Sequence, residues 1–138
     1  MIRAVIDPSV FVSAFIGSPD AGPGQLVEAW RDRRFVLVVS PLLLAELKEV
    51  LSRPKFARWA GDGRGDAYVA GFGARSEHQP DPPQLQSPGV RDPDDDYLVA
   101  LMHATHADVL VSLDRDLLDA RLDGITVVDP AVFVSRLE

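Results

Sequence analysis

Strands and helices alternate along this sequence. That order predicts an α/β fold: a three-layer α/β/α arrangement around a central parallel sheet of four to five strands. Three observations lead there. Short runs rich in Val, Ile and Leu recur at 2–6, 35–39, 109–112 and 125–128, and they read as buried strands. The segments between them carry helical periodicity, most clearly at 42–51. Acidic residues also stand directly after two of the strands, Asp7 after the first and Asp114 after the third.

The first strand, 2–6, stops at Asp7-Pro8-Ser9, because Pro8 has no N–H with which to extend a ladder. A helix over 10–16 follows, and Asp7 is a candidate cap for it. Residues 17–24 combine Gly, Pro, Ser and Asp and read as a loop. A short amphipathic helix over 25–34 uses Leu26, Val27, Ala29 and Trp30 as its apolar side, and the strand 35–39 comes next. Ser40-Pro41 then sets a cap residue before a proline at the first helical position. Leu42, Leu43, Ala45, Leu47, Val50 and Leu51 give the helix that follows its apolar period, and Glu46 flanks that face.

Residues 52–56 end this helix, and 61–65, with three glycines, is a loop. The stretch 66–76 reads as a weak helix, since Gly71 and Gly73 lower its propensity. Prolines at 80, 82, 83 and 88 make 78–89 a surface loop. A helix over 94–105 leads into the strand 109–112. Residues 113–118 turn from strand to helix, 125–128 is the fourth strand and 130–137 the closing helix.

The 138 residues are enough for one domain with a core, expected to span 1–138. Hydrophobic content of 46% and charged content of 25% are ordinary globular values, so a packed chain is expected. With no cysteine, a disulfide framework, thiolate metal sites and a Cys nucleophile are excluded. No run approaches the roughly 20 apolar residues of a membrane span, and the N-terminus has no signal-peptide layout. A soluble, cytoplasmic protein with no membrane contact is the expectation. The net charge of −7 argues against broad wrapping of duplex nucleic acid. It leaves room for a nucleic-acid enzyme, whose carboxylate site must itself be acidic.

The most unusual stretch is Arg91-Asp92-Pro93-Asp94-Asp95-Asp96, which sets four carboxylates within five positions. Their repulsion can be offset in two ways. A helix N-terminus offers orphan N–H groups and the positive end of its dipole. A divalent cation offers charge directly, since hard metals take oxygen ligands. Asp7, Asp114 and the acids at 94–96 can all gather at the carboxyl edge of a parallel sheet, where open α/β folds bind ligands. Glu46, in the second turn of its helix, can reach the same edge. Three or four carboxylates, with no Cys and no His paired to a Ser, point to Mg²⁺ or Mn²⁺. Such ions suit phosphoryl chemistry, in which they activate water and stabilise charge on the phosphate. A cap role for Asp7 and a solvated Glu46 are the structural alternatives.

Away from this edge, Arg53, Lys55, Arg58 and Trp59 form a basic and aromatic patch. It is either a surface that holds an RNA backbone and stacks a base, or a solvated face. His78, His103 and His106 have no partner pattern that suggests a metal site.

Read together, several motifs resemble a known family. They are Asp7-Pro8-Ser9-Val10-Phe11-Val12-Ser13-Ala14, Ser40-Pro41-Leu42-Leu43-Leu44-Ala45-Glu46-Leu47 with the following Val50-Leu51-Ser52-Arg53-Pro54-Lys55-Phe56, Asp92-Pro93-Asp94-Asp95-Asp96-Tyr97-Leu98, and Ala107-Asp108-Val109-Leu110-Val111-Ser112-Leu113-Asp114-Arg115-Asp116-Leu117-Leu118. In this order and spacing they resemble the PIN-domain nucleases over essentially the full length, in particular the VapC-related toxins of toxin–antitoxin systems. Ser112 stands where the family more often has Thr.

The resemblance implies a Mg²⁺- or Mn²⁺-dependent endoribonuclease. Its catalytic acids, which would also form the metal-ligand set, would be Asp7, Glu46, Asp95 and Asp114. Asp96 and Asp116 would be further metal ligands beside Asp7, Asp95 and Asp114. Asp95 fits the third position by its distance to Ala107-Asp108, and Asp96 fits it by the spacing of VapC-type sequences. Ser9, Arg53 and Lys55 would face the substrate. The resemblance further implies an antitoxin that lays an apolar segment on the toxin, and a homodimer.

The rival reading is a catalytically inactive PIN-like module that binds RNA or protein. Two other acidic-pocket folds fit less well. A receiver domain needs adjacent acids after the first strand and a late Lys, and no Lys follows Lys55. A haloacid-dehalogenase-type phosphatase needs Asp-x-Asp at that place, where residue 9 is Ser.

Overall fold

The structure is a computed structural model that describes residues 1–82, 96–120 and 124–137, and of Asp96 the backbone alone. Its first strand, β1 (Arg3–Ile6), is buried at its last three positions. It gives way to α1 (Pro8–Ile16), where Pro8 occupies the first turn and the Asp7 side chain caps the helix. α2 (Gly22–Arg31) leads to β2 (Val36–Val39). The Ser40 hydroxyl accepts the Leu43 N–H at 3.3 Å and opens α3 (Pro41–Leu51). A 3-10 turn (Pro54–Phe56), α4 (Ala57–Ala60), α5 (Arg64–Ala74) and β3 (Glu77–His78) follow. The remaining described elements are α6 (Asp96–Thr105), β4 (Val109–Val111), α7 (Arg115–Asp119), β5 (Val127–Val128) and α8 (Pro130–Ser135).

The strands form one five-stranded sheet in the order β3-β2-β1-β4-β5, and every neighbouring pair is parallel. β1 is central, with Val5 beside Val38 on one side and beside Leu110 on the other. The chain builds outward from β1 to β2 and β3, then crosses back to β4 and β5. The topological switch point therefore lies between β1 and β4. Helices cover both faces, giving the expected three-layer α/β/α architecture. The core includes the fully buried Ile6, Leu37, Leu43, Leu47, Leu101 and Leu110. Among the described residues, no helix is long and apolar enough to cross a membrane.

Three of the differences from the sequence expectation bear on how the sheet and its helices pack. His78, expected in a surface loop, belongs to β3, an additional strand in which Glu77 and His78 pair with Val38 and Val39. Two polar residues carry no strand pattern, and only the exposed edge of β2 makes them one. The second helix begins at Gly22, three residues earlier than expected. Gly24 permits this because a Cβ there would lie 2.6 Å from the Ser18 carbonyl oxygen and 2.7 Å from the Pro19 Cα. The glycine-bearing helix α5 is fully formed. Its Phe72 ring sits 4.3 Å from Phe11, 4.7 Å from Trp30 and 4.8 Å from Tyr68, centroid to centroid. Burial of these aromatics outweighs the roughly 1 kcal/mol that each helical glycine costs. The Pro-rich stretch from 83 onward lies outside the described residues.

Candidate active site at the carboxyl edge of the sheet

The register of the central strands sets up the site. The Asp7 N–H donates to the Val111 carbonyl at 2.9 Å, so the β1–β4 ladder continues one residue past β1. Asp7 is thereby held beside Ser112, the residue that follows β4. The Ser112 N–H in turn donates to the Val128 carbonyl at 3.0 Å. Both residues thus stand at the switch point on fixed backbone.

Their side chains join. The Ser112 hydroxyl donates to Asp7 Oδ2 at 2.7 Å, and the same oxygen accepts the Asp114 N–H at 2.9 Å. Asp114 Oδ1 accepts the Asp116 N–H at 2.9 Å and so caps α7. Asp7 Oδ1 accepts the Ser9 N–H at 3.1 Å. A continuous hydrogen-bonded chain therefore links Asp7, Ser112, Asp114 and Asp116 at the carboxyl ends of β1 and β4. Ser9 is exposed at the start of α1, next to this chain.

Asp7 is buried, and its burial pushes the carboxyl pKa up. The bonds from Ser112 and Ser9 work against that shift, and the negative charge of Asp114 adds to it. A desolvated acid with neutral hydrogen-bond partners and a second carboxylate as neighbour is a place where a cation lowers the electrostatic energy. The donor atoms are all hard oxygens. The set fits Mg²⁺ or Mn²⁺ and offers nothing to a soft metal.

Glu46 is half-buried in the second turn of α3. Its Oε2 accepts the Tyr97 hydroxyl at 2.7 Å, from the first turn of α6. The helix opened by the acidic stretch is thus fastened to the helix that carries the glutamate. Asp95, together with Asp92 and Asp94, lies outside the described residues, and Asp96 is placed as the first residue of α6 without its side chain. Among the described residues no group of three or more His, Asp or Glu side chains gathers as a metal cage. The described residues bring Asp7, Asp114 and Asp116 into one chain and hold Glu46 in a separate bond to Tyr97.

The basic residues singled out in the sequence sit elsewhere. Ser40, at the carboxyl end of β2, opens α3, and Arg53 and Lys55 lie beyond the other end of that helix. An 11-residue helix is about 16 Å long, which separates them from the edge by most of a layer. Arg53 pairs with Glu49 one turn back, at 2.9 Å. Lys55 lies 5.1 Å from the Phe56 ring centroid, and Arg58 lies 4.9 Å from that of Trp59.

Two residues of the site carried no role in the sequence reading, Ser112 and Tyr97. Ser112 was visible as a small polar residue ending a buried strand, two before an Asp. Tyr97 was visible as a polar-tipped aromatic directly after the acid run. Their partners are 105 and 51 residues away, which no local pattern reports.

Residues 3–116 match the family model described as the PIN domain. The chain belongs to the PIN-domain family, whose nucleases are hydrolases acting on phosphodiester bonds. Among solved structures, PAE2754 from Pyrobaculum aerophilum is similar, with a TM-score of 0.63 and 18% identity over 99% of this chain and 89% of that one. VapBC2 from Rickettsia felis, bound to a DNA fragment from their promoter, is similar with a TM-score of 0.63 and 15% identity over 93% of this chain and 98% of that one. At such identities these two show a shared fold. Among curated proteins, none is significantly similar in sequence.

Proposed function

We propose that this chain is a Mg²⁺- or Mn²⁺-dependent endoribonuclease, a single PIN domain over 1–138 that acts as the toxin of a toxin–antitoxin pair. The observation that carries the reading is the Asp7–Ser112–Asp114 chain at the switch point of the sheet. It sets one carboxylate at the end of β1 and a second at the start of α7, at the edge where parallel α/β sheets bind their ligands. Asp7, Asp114 and Asp116 would hold the ion together with Asp95 or Asp96, and Glu46 completes the acid set. When bound, the cation supplies Lewis acidity toward a phosphodiester and offsets its charge.

Within the protein, Ser112 keeps the Asp7 carboxylate in one orientation, and Ser9 stands exposed at the rim, where a substrate oxygen can reach it. Arg53 and Lys55 would bind only an RNA long enough to run along α3 to its far end. The toxin role draws support from family membership and from the fold shared with VapBC2. An antitoxin partner, a homodimer and a cytoplasmic location belong to the same proposal.

The test is direct. Purified protein cuts single-stranded RNA with Mn²⁺ or Mg²⁺ and stops with EDTA, and Asp7→Asn and Asp114→Asn each abolish cutting while the circular dichroism spectrum is kept. Variants that cut as well as wild type would overturn the metal-site reading. Wild-type protein that binds RNA or a partner, yet stays silent with every divalent ion, would establish the binding-module alternative.

A further inference from the structure

We infer that Tyr97 is a positioning residue for the metal site, acting through Glu46; the inference rests on the metallonuclease reading above. The Tyr97 ring is 7% exposed and packs in the core, while its hydroxyl reaches a carboxylate oxygen of Glu46 on a different helix. A phenol has one proton to donate, and this one goes to the carboxylate at 2.7 Å, a charge-assisted bond. A buried tyrosine needs some acceptor, and a backbone carbonyl serves equally well. Tyr68 shows this in the same molecule, donating to the Phe11 carbonyl at 2.8 Å. Tyr97 instead spends its proton on one of the candidate catalytic acids.

The location gives the bond its consequence. Glu46 has several rotatable bonds and half-exposed surroundings, so its carboxylate is mobile unless it is held. Tyr97 is rigid, has two side-chain torsions and is fixed by its buried ring. It also directly follows Asp96, at the end of the acidic stretch. The hydroxyl therefore ties the Glu46 carboxylate to the first turn of α6. Hydrogen-bond partners of metal-binding carboxylates commonly alter ion affinity by roughly 10–100-fold when removed.

The experiment is Tyr97→Phe, which keeps the ring and removes only the hydroxyl. Mn²⁺ alone is titrated into the protein and followed by the electron paramagnetic resonance of the free ion. RNA cutting is then measured against Mn²⁺ concentration. The expected result is a Mn²⁺ dissociation constant about tenfold weaker, with kcat at saturating Mn²⁺ within about twofold of wild type. In a Glu46→Gln background, Tyr97→Phe should cause no further loss of Mn²⁺ affinity. Unchanged Mn²⁺ affinity in the single variant, with or without lower thermal stability, overturns the inference and leaves the nuclease reading standing. An equal further loss in the Glu46→Gln background overturns it too, since Tyr97 would then act by another route. Wild-type protein that binds no Mn²⁺ sinks the nuclease reading, and this inference with it.

Discussion

The Ser112 hydroxyl donates a hydrogen bond to Asp7 and accepts one from the backbone N–H of Asp114, so a single fully buried hydroxyl links the acid that follows β1 to the acid that caps α7. Ser112→Ala should leave the buried Asp7 carboxylate without its donor. The expected loss is about 1–3 kcal/mol of stability, read by urea unfolding. Mn²⁺ affinity should fall by about tenfold, because Asp7 then loses its fixed orientation. A variant equal to wild type on both counts would show that the hydroxyl only fills space.

The third acid of the site is the sharpest choice left by the sequence. Asp95→Asn and Asp96→Asn should separate it: one should weaken Mn²⁺ binding by an order of magnitude or more, and the other should act only as a helix-start substitution of about 1 kcal/mol. Isothermal titration with Mn²⁺, alongside thermal melting, reads both. Equal and small effects on Mn²⁺ from both variants would remove the acidic stretch from the metal site.

At the opposite end of β1, Arg3 grips Glu77 through two nitrogens and donates to the Thr105 carbonyl at 2.9 Å. The Arg3 guanidinium, with a second bond from Gln79, holds the Glu77 carboxyl below the usual carboxylate range. The sign follows from linkage. A carboxyl with a depressed folded-state pKa adds stability above its unfolded value of about 4.3 and loses it as pH falls through the folded-state value. Glu77→Gln should therefore cost about 1 kcal/mol at pH 7, a small figure because the pair is partly solvated. Unfolding free energies at pH 7 and pH 3 should show the gap between variant and wild type closing in acid. A gap that persists at pH 3 would assign the loss to packing.

Gly71 offers a gain. It lies in α5, and a Cβ built there meets nothing within 4 Å. Gly71→Ala should stabilise the protein by about 0.5–1 kcal/mol by lowering the entropy of the unfolded chain. That corresponds to a melting temperature higher by roughly 2–4 °C, measurable by calorimetry. A lower melting temperature would mean that this helix is held in a strained form.

The sequence by itself determined the strands β1, β2 and β4, because residues buried on both faces of a parallel sheet must be apolar one after another. It also determined that Asp7 and Asp114 follow strands, and that Ser40-Pro41 opens a helix, since those signals lie within a few residues. Tertiary structure alone decided the strand order, which places Asp7 against Ser112. It decided that Glu77 and His78 form a strand, because the free edge of β2 supplies their partners. It decided that α5 is a full helix, because Phe72 and Tyr68 of α5 meet aromatic rings from two other helices, Phe11 of α1 and Trp30 of α2. And it joined Glu46 to Tyr97. The division has one physical reason. Periodicity and capping report what an element needs from its immediate neighbours in the chain. A hydrogen bond between residues 105 or 51 positions apart exists only once the sheet has brought two distant strand ends, or two helix starts, to the same edge.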